Sequence, residues 1–578
     1  MSAPRLPDLP ITSVLPELLS ALEGNNKAVL MAPPGAGKTT LVPLALLDAP
    51  WREGHKIIVL EPRRLAARAA AHRMADLLGE KVGERVGYRV RFNTKISHRT
   101  MIEIVTEGVF TRMLADDPGL ENVAAVLFDE FHERSLDGDL ALALCLDLQQ
   151  GLRDDLRLLP MSATLDGSAV AALLDAPVIE SMGRQYPVDI NYKDHPPRER
   201  IETTVARAVR SEIANNQAGS ILVFLPGQRE IERTADLLDG ALPADVTVHK
   251  LFGALSHQEQ DAAIRPAHKG KRKVVLASAI AETSLTIDGI VCVIDSGLSR
   301  QPVFEPATGL TRLQTVRASR AEIDQRAGRA GRLGPGRALR LWRREQTAAL
   351  PAFAPPEIIN ADLSALLLDL ADWGVADPSA LQWMDQPPEP ALAEARSLLR
   401  SLDAMGENGL TEHGRAMRRL PLPPRFAHMV VKAAEQGADF DAALLALALQ
   451  ERGAGGRGVD LEPRLDMLKS ARDKRSKMLT NLARSIAGRT GIQDASNRVS
   501  VGILLAIAYP DRIAQRGAAT NNGTIRFRLA NGRGAELDAT ENLGKADFIV
   551  VADMAGRAGA ARILAATLAA RRSRPSSV

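Results

Sequence analysis

The first part of the chain sets short, wholly apolar runs between longer segments of helical spacing. Ala28 to Met31, Ile57 to Leu60, Ala124 to Phe128 and Leu156 to Met161 are four such runs, the last interrupted by Arg157 and Pro160. Apolar runs without a polar alternate predict strands covered on both faces. The Ala- and Arg-rich stretch Leu65 to Leu78 predicts one of the covering helices. Strands alternating with helices predict a parallel α/β sheet. Each run ends in a small or polar cluster: a Gly-rich turn after Met31, Glu61-Pro62-Arg63-Arg64, Asp129-Glu130, and Ser162-Ala163-Thr164. Ligands on parallel sheets sit at the carboxyl ends of strands, so these clusters are candidate site residues.

The pattern then recurs. Ile221 to Leu225 runs into Pro226-Gly227-Gln228, Val274 to Ala277 into Ser278-Ala279-Ile280, and Val291 to Ile294 into Asp295-Ser296-Gly297. A second α/β domain is expected, with the boundary near Gly183 to Pro187. After about Trp342 the texture changes. Asp362 to Trp373, Ala391 to Met405 and Phe426 to Gln450 are Ala/Leu-rich with helical spacing, and Gly453 to Gly458 reads as a flexible connector. From Ile503 onward short β patterns return, as in Thr524 to Leu529, before a tail at Arg571 to Val578.

Composition narrows the picture. The 578 residues allow about four domains of roughly 150 residues each. With 45% hydrophobic and 25% charged residues, wholesale disorder is excluded. The formal charge of +3 excludes a polybasic mode of binding, so any nucleic-acid site must be a local groove. The two cysteines, Cys145 and Cys292, lie far apart and exclude a disulfide framework or a Cys-ligated zinc. The start carries no signal-peptide pattern, and apolar stretches such as Ala442 to Leu449 are too short to span a bilayer. A cytoplasmic protein with no membrane partner is expected.

Three motifs carry chemistry. Ala32-Pro33-Pro34-Gly35-Ala36-Gly37-Lys38-Thr39 lies between a predicted strand and a predicted helix, the context a phosphate-binding loop needs. Its glycines let backbone N–H groups face phosphate oxygens. Lys38 would reach the β- and γ-phosphates and Thr39 would hold Mg²⁺. Asp129-Glu130-Phe131-His132 follows an apolar strand. There Asp129 would hold Mg²⁺, Glu130 would polarise the attacking water, and His132 would link the site to the second domain. Gln325 to Arg332 spaces arginines three apart, which on a helix places Arg326, Arg329 and Arg332 along one face. Arg329 and Arg332 fit cations that stabilise a transferring phosphoryl group, and Gln325 fits a residue that orients water. Only the first domain carries a phosphate loop, so one nucleotide bound between two domains is expected.

This set resembles the DEAH-box superfamily 2 RNA helicases, and within them the bacterial HrpB type, which shares the Asp-Glu-Phe-His variant at Asp129 to His132. The resemblance runs motif by motif from about Leu9 to Leu341. It is looser beyond, through Pro355-Pro356-Glu357-Ile358 and Leu410 to Arg415. It implies two tandem RecA-like parallel-sheet domains, over 1–184 and 185–345. A mostly helical region would follow, winged-helix-like over 346–418 and a ratchet-like helical bundle over 419–508. An OB-like β domain over 509–578 closes the chain, with incompleteness left open and a further accessory domain expected to be absent.

The same resemblance assigns further residues. Gly35, Ala36, Gly37, Lys38, Thr39, Thr40, Asp129, His132, Thr286 and Asp288 would hold ATP with Mg²⁺, the metal being taken by Thr39 and Asp129. Glu130, Gln325, Arg329 and Arg332 would carry catalysis. Arg64 in motif Ia, Arg91 in the hook-like turn at Gly87 to Phe92, Thr106 and Arg112 in motif Ib, Gln228 in motif IV and Thr283 in motif V would touch nucleic acid. Pro302 to Gln314 would form a hairpin turning at Thr308-Gly309. Motif V departs from the family at Ala279, which lacks the usual amide. That bears on coupling between nucleic acid and nucleotide, not on the nucleotide site.

The implied activity is ATP hydrolysis coupled to 3′-to-5′ movement on single-stranded RNA and duplex unwinding, by a chain acting as a monomer. An ATP-gated RNA clamp and a DNA helicase or translocase stay open as alternatives, and an activating protein cannot be read from the residues.

Overall fold

The structure is a computed structural model. It describes residues 7–569 apart from 92, 164–166, 183–185, 197, 216–218, 283–286, 306–309, 333, 408, 452, 457, 492–498, 521–522 and 556–560. Two compact units divide the chain, Met1–Ala361 with Ser379–Pro388, and Asp362–Pro378 with Glu389–Val578.

The first unit holds two α/β lobes. In the first lobe the strands are β1 (Val29–Met31), β2 (Lys56–Leu60), β3 (Val86–Val90), β4 (Asn93–Lys95), β5 (Ile102–Val105), β6 (Val123–Phe128), β7 (Arg157–Ser162) and β8 (Val178–Glu180). They pair in the order β4-β3-β5-β2-β6-β7-β1-β8, parallel throughout except for β4. The four apolar runs seen in the sequence are the inner strands β2, β6, β7 and β1. They are buried because helices cover both faces, as in any parallel sheet. The stretch expected to be a hook-like turn is different: Gly87 to Val90 belong to β3, and the turn begins only at Arg91. The strand escapes a sequence reading because Gly87 and Arg89 break the apolar run.

The second lobe has β9 (Val188–Tyr192), β10 (Ser220–Phe224), β11 (Val246–Leu251), β12 (Arg272–Ala277) and β13 (Ile290–Asp295), then a hairpin of β14 (Leu298–Glu305) and β15 (Leu310–Arg317), then β16 (Gly336–Arg340). Six of these form a parallel sheet in the order β11-β12-β10-β13-β16-β9. The hairpin pairs from Leu298↔Arg317 to Glu305↔Leu310, so it is longer than expected. Its turn at Thr308-Gly309 lies outside the described residues.

A buried cation stands at the centre of the second lobe. Arg326 is 1% exposed; its Nε donates to Glu282 at 2.7 Å and its Nη1 to Asp295 at 2.9 Å. The guanidinium also lies over the Phe224 ring at 5.3 Å. Three charges out of water are tolerable only because they satisfy one another.

After the second lobe, the chain runs Pro351-Ala352-Phe353-Ala354-Pro355-Pro356-Glu357. At its start, the carbonyls of Pro351 and Ala352 accept from Arg320 N and Ala321 N at 2.9 and 3.0 Å, capping the arginine-bearing helix Arg320–Gly328. At its end, Glu357 is bonded to the first lobe: its N–H donates to the Arg134 carbonyl at 3.0 Å, and its carboxylate accepts from Leu136 N at 2.9 Å.

The second unit is mostly helical, with a two-stranded ribbon of β17 (Met405–Gly406) and β18 (Gly409–Leu410). The span Phe426 to Gln450, expected from its spacing to be helical, holds two helices, Pro424–Ala434 and Asp439–Gln450. The chain turns between them at Gly437, whose φ of +68° no helix accommodates. Five closing strands, β19 (Ile513–Ala519), β20 (Thr524–Leu529), β21 (Gly534–Asp538), β22 (Phe548–Ala555) and β23 (Ala561–Leu568), form a closed barrel. A parallel β21–β23 pair completes it.

The Arg326 network yields a stability prediction. Arg326→Met should lower unfolding stability by about 3–5 kcal/mol, because Glu282 and Asp295 would be left buried and uncompensated. Denaturant unfolding followed by far-UV circular dichroism would measure it, with Arg326→Lys expected to recover only part of the loss.

Candidate functional site

The phosphate loop follows β1 and ends in the helix Lys38–Ala45. Gly35 and Gly37 have φ of +86° and +96°, the left-handed conformation that turns backbone N–H groups inward. A side chain at Gly37 would also collide with Leu9, 2.8 Å from an added Cβ. The N-terminal segment clamps the loop from below: Ile11 N donates to the Ala36 carbonyl at 3.1 Å, and Ile11 is fully buried.

Asp129-Glu130 follows β6, two strands from β1, and both acids are buried. Lys38 Nζ lies 2.8 Å from Glu130 Oε1 and 3.6 Å from Asp129 Oδ1. Burial alone would lower the Lys38 pKa, but the two carboxylates outweigh it and raise it above its ordinary value. Burial likewise opposes ionisation of Glu130, and Lys38 with His132 overcomes it, so Glu130 is held low. Burial, with Glu130 alongside, pushes Asp129 up, against the pull of Lys38 and a Thr39 hydrogen bond. Glu130 itself has φ of +50°, a strained backbone for a glutamate, and such strain concentrates at functional sites.

His132 sits between the motifs. Its Nδ1 accepts from Ala163 N at 3.3 Å, and its Nε2 lies 3.3 Å from the amide end of Gln325 in the second lobe. Burial lowers its pKa, so the ring is neutral at pH 7.

Across the cleft, Arg326, Arg329 and Arg332 do not share a helix face. The α-helix ends at Gly328 and gives way to a tighter turn, Arg329–Gly331. Arg326 points into its own lobe, while Arg329 and Arg332 both lie within the field of Glu130. The Glu282 carbonyl accepts from Arg329 Nε at 2.9 Å and also from its Nη2. Burial and then the neighbouring Arg332 push Arg329 well below its ordinary pKa. Burial also brings Arg332 down to about 10. Glu130 and Glu282 oppose this shift at Arg329, and Glu130 and Asp288 oppose it at Arg332.

The remaining expected residues fall as follows. Gly35 is exposed, Ala36 is 2% exposed, and the Thr40 hydroxyl donates to the Gly37 carbonyl at 3.4 Å. Asp288 is exposed, and its charge reaches Arg332. Arg64, Arg91 and Thr106 follow β2, β3 and β5, which are near neighbours, so one edge of the sheet carries all three. Arg64 is exposed, Arg91 is half-buried, and Thr106 is buried at the start of the helix Glu107–Asp116. Arg112 is half-buried and lies in the field of Asp137. Gln228 is exposed and donates to Glu232 at 2.8 Å. Thr283 and Thr286, like Thr164 of Ser162-Ala163-Thr164, lie outside the described residues.

Two features were missed. Arg63, beside the favoured Arg64, crosses the cleft: its Nη1 donates to the Ala279 carbonyl at 2.9 Å and its Nη2 pairs with Glu133 at 3.1 Å. The available signal was the pair of adjacent arginines at a strand-to-helix junction, where successive side chains point apart. The other is Glu107, whose carboxylate accepts from Ser135 Oγ at 2.6 Å, tying motif Ib to the helix after Asp129-Glu130.

A metal fits this donor set. Asp129 Oδ2 is buried and takes no hydrogen bond among the described residues, while the Thr39 hydroxyl bonds the same carboxylate. An oxygen pair of this kind suits Mg²⁺ beside a triphosphate.

A phosphate lysine and a carboxylate pair on one lobe, faced by two arginines on the other, define a helicase core of the P-loop class. Residues 12–173 match the DEAD/DEAH box helicase family, and residues 204–334 match the helicase conserved C-terminal domain. The ATP-dependent RNA helicase HrpB of Escherichia coli (strain K12) is 46% identical over 543 residues, covering 94% of this chain. The chain spans 66% of that relative's length. The crystal structure of E. coli DExH-box NTPase HrpB is 44% identical at a TM-score of 0.87, covering 98% of this chain and 68% of that one. A second E. coli structure, of DEAH/RHA helicase HrpB, is 43% identical at a TM-score of 0.90, covering 98% and 71%. The chain belongs to the DEAH-box helicases of the HrpB type.

The Glu107 environment gives a pH prediction. Burial, with Asp137 and other acids nearby, raises its carboxyl from 4.5 to about 8. The folded state then binds the proton more tightly than the unfolded state, so this group's contribution to stability is full below pH 4.5 and is lost as pH rises to about 8. Glu107→Gln keeps the acceptor for Ser135 without the proton. It should flatten the decline in unfolding stability across that window, read from denaturation midpoints at successive pH values.

Proposed function

We propose that the chain is an ATP-dependent RNA helicase that couples ATP hydrolysis to translocation on single-stranded RNA and to duplex unwinding. The observation that carries this is the Lys38–Glu130 pair on one lobe, 2.8 Å apart, with Arg329 and Arg332 of the other lobe within reach of the Glu130 charge. In this reading Gly35 to Thr40 hold the ATP phosphates, and Asp288 and Thr286 face the nucleotide from the second lobe. Lys38 reaches the β- and γ-phosphates, and closing of the lobes exchanges its Glu130 contact for them. Freed of that pair, Glu130 orients and deprotonates the attacking water, with Gln325 and His132 holding the water's other side. Thr39 and Asp129 would hold Mg²⁺, which when bound neutralises developing charge on the phosphates.

Arg329 and Arg332 stabilise the transferring phosphoryl group. Loss of the γ-phosphate removes the anion that drew the lobes together, so they part. Arg64, Arg91, Thr106, Arg112, Gln228 and Thr283 hold one strand by its backbone, which carries little sequence information. Family resemblance supports RNA as the strand, 3′-to-5′ movement and a monomeric motor in the cytoplasm. No described helix is long and apolar enough to cross a membrane. The winged-helix-like (346–418), bundle (419–508) and OB-like (509–578) divisions belong to the same reading.

Displacement of a labelled strand from an RNA duplex tests the proposal. Hydrolysis and RNA binding without displacement would replace it with an ATP-gated clamp. ATPase stimulation stronger with single-stranded DNA than with RNA would replace it with a DNA motor. Glu130→Gln should cut turnover at least 100-fold while nucleotide affinity stays within a few-fold, since Lys38 and the loop remain. Arg332→Ala should cost about 10³ in turnover; a loss below tenfold would remove Arg332 from the phosphoryl group.

A further inference from the structure

The turn Ala279–Glu282 follows β12 in the second lobe and is gripped from both sides of the cleft. From its own lobe, Arg326 holds the Glu282 carboxylate and Arg329 holds the Glu282 carbonyl. From the first lobe, Arg63 donates to the Ala279 carbonyl at 2.9 Å while its other nitrogen pairs with Glu133, next in sequence but one to Phe131 of the Asp-Glu-Phe-His motif. The Arg63 side chain is 26% exposed, so this is a largely desolvated bridge, not a surface pair. Arg63 is the residue immediately before the helix Arg64–Leu77, whose first residue, Arg64, is exposed at the strand-binding edge.

We propose that Arg63 is a positioning residue that locks the Ala279–Glu282 turn against the first lobe and thereby sets Arg329 for the phosphoryl group in step with strand binding at Arg64. The inference rests on the proposed helicase reading and names the coupling element within it. A guanidinium suits the task because its planar fork donates in two directions at once, to a main-chain carbonyl and to a carboxylate. The contact uses the carbonyl of residue 279, which every residue has, so Ala279 in place of the usual amide residue leaves it intact. A pull on the backbone at Arg64 moves Arg63, its neighbour. Arg63 moves the turn, and the turn carries the carbonyl that orients Arg329.

The test compares Arg63→Ala, Arg63→Lys and Arg64→Ala in the full chain, with two readouts. The first is steady-state ATP hydrolysis titrated with single-stranded RNA. Arg63→Ala should lose at least tenfold in RNA-stimulated kcat, with affinity for a fluorescent ATP analogue changed less than threefold. Arg64→Ala should instead raise the RNA concentration needed for half-stimulation. Arg63→Lys, one donor group without the fork, should recover part of kcat.

The second readout is amide hydrogen exchange without nucleotide or RNA. Arg63→Ala should speed exchange at residues 279–282 at least tenfold while the thermal midpoint stays put. Unchanged exchange there, or a stimulated kcat within twofold of the parent chain, would overturn the proposal. A parent chain that RNA does not stimulate would defeat the helicase reading instead, and the exchange result would still decide whether Arg63 locks the turn.

Discussion

The site depends on buried charges of both signs held close together on the two walls of one cleft. Lys38 is held by Glu130 on one wall of the cleft, and Arg329 and Arg332 crowd each other on the opposite wall. Burying like charges together costs free energy, and Glu130, Glu282 and Asp288 offset part of that cost. In the proposed reading a triphosphate adds negative charge here, taking the place of Glu130 at Lys38 and giving the two arginines a shared partner. The fold is organised to maintain this tension: the parallel strands place the loop and the acids on one edge, and the tight turn after Gly328 swings Arg329 away from Arg326.

That division of labour among three arginines of identical spacing shows where residue pattern stops being informative. The spacing places them on one helical face, and a continued helix would have kept them there. The helix ends at Gly328, and the sequence does not say which arginine goes inward. Burial beside Glu282 and Asp295 decides it, and those partners come from segments 44 and 31 residues away. Arg63 and Arg64 repeat the lesson. Motif reasoning finds the pair, but only the location of the Ala279 carbonyl separates their contacts.

Much of the first unit was legible because parallel strands are covered on both faces and so read as unbroken apolar runs. Seven such runs align with β1, β2, β6, β7, β10, β12 and β13 to within a residue or two at each end. The strands that escaped are those with a polar or exposed face, such as β3 with Gly87 and Arg89, and β9, where Asp189 and Asn191 are exposed. The phosphate loop and the acid pair were legible because their chemistry needs particular residues at fixed spacing. Glu107 was not, since its role depends on Ser135, brought close only when two helices pack.

The segment from Pro351 to Glu357 sets a ruler on the machine. Its carbonyls at 351 and 352 are fastened to the helix that bears the arginines, and Glu357 is fastened beside the acid motif. From Ala352 to Glu357 a fully stretched backbone reaches at most about 18 Å, and Pro355 and Pro356 leave it little slack to coil. While both ends stay fastened, the excursion of the arginine helix from the acid motif has a hard ceiling. Any movement of these two elements relative to each other is bounded in length for as long as both fastenings hold.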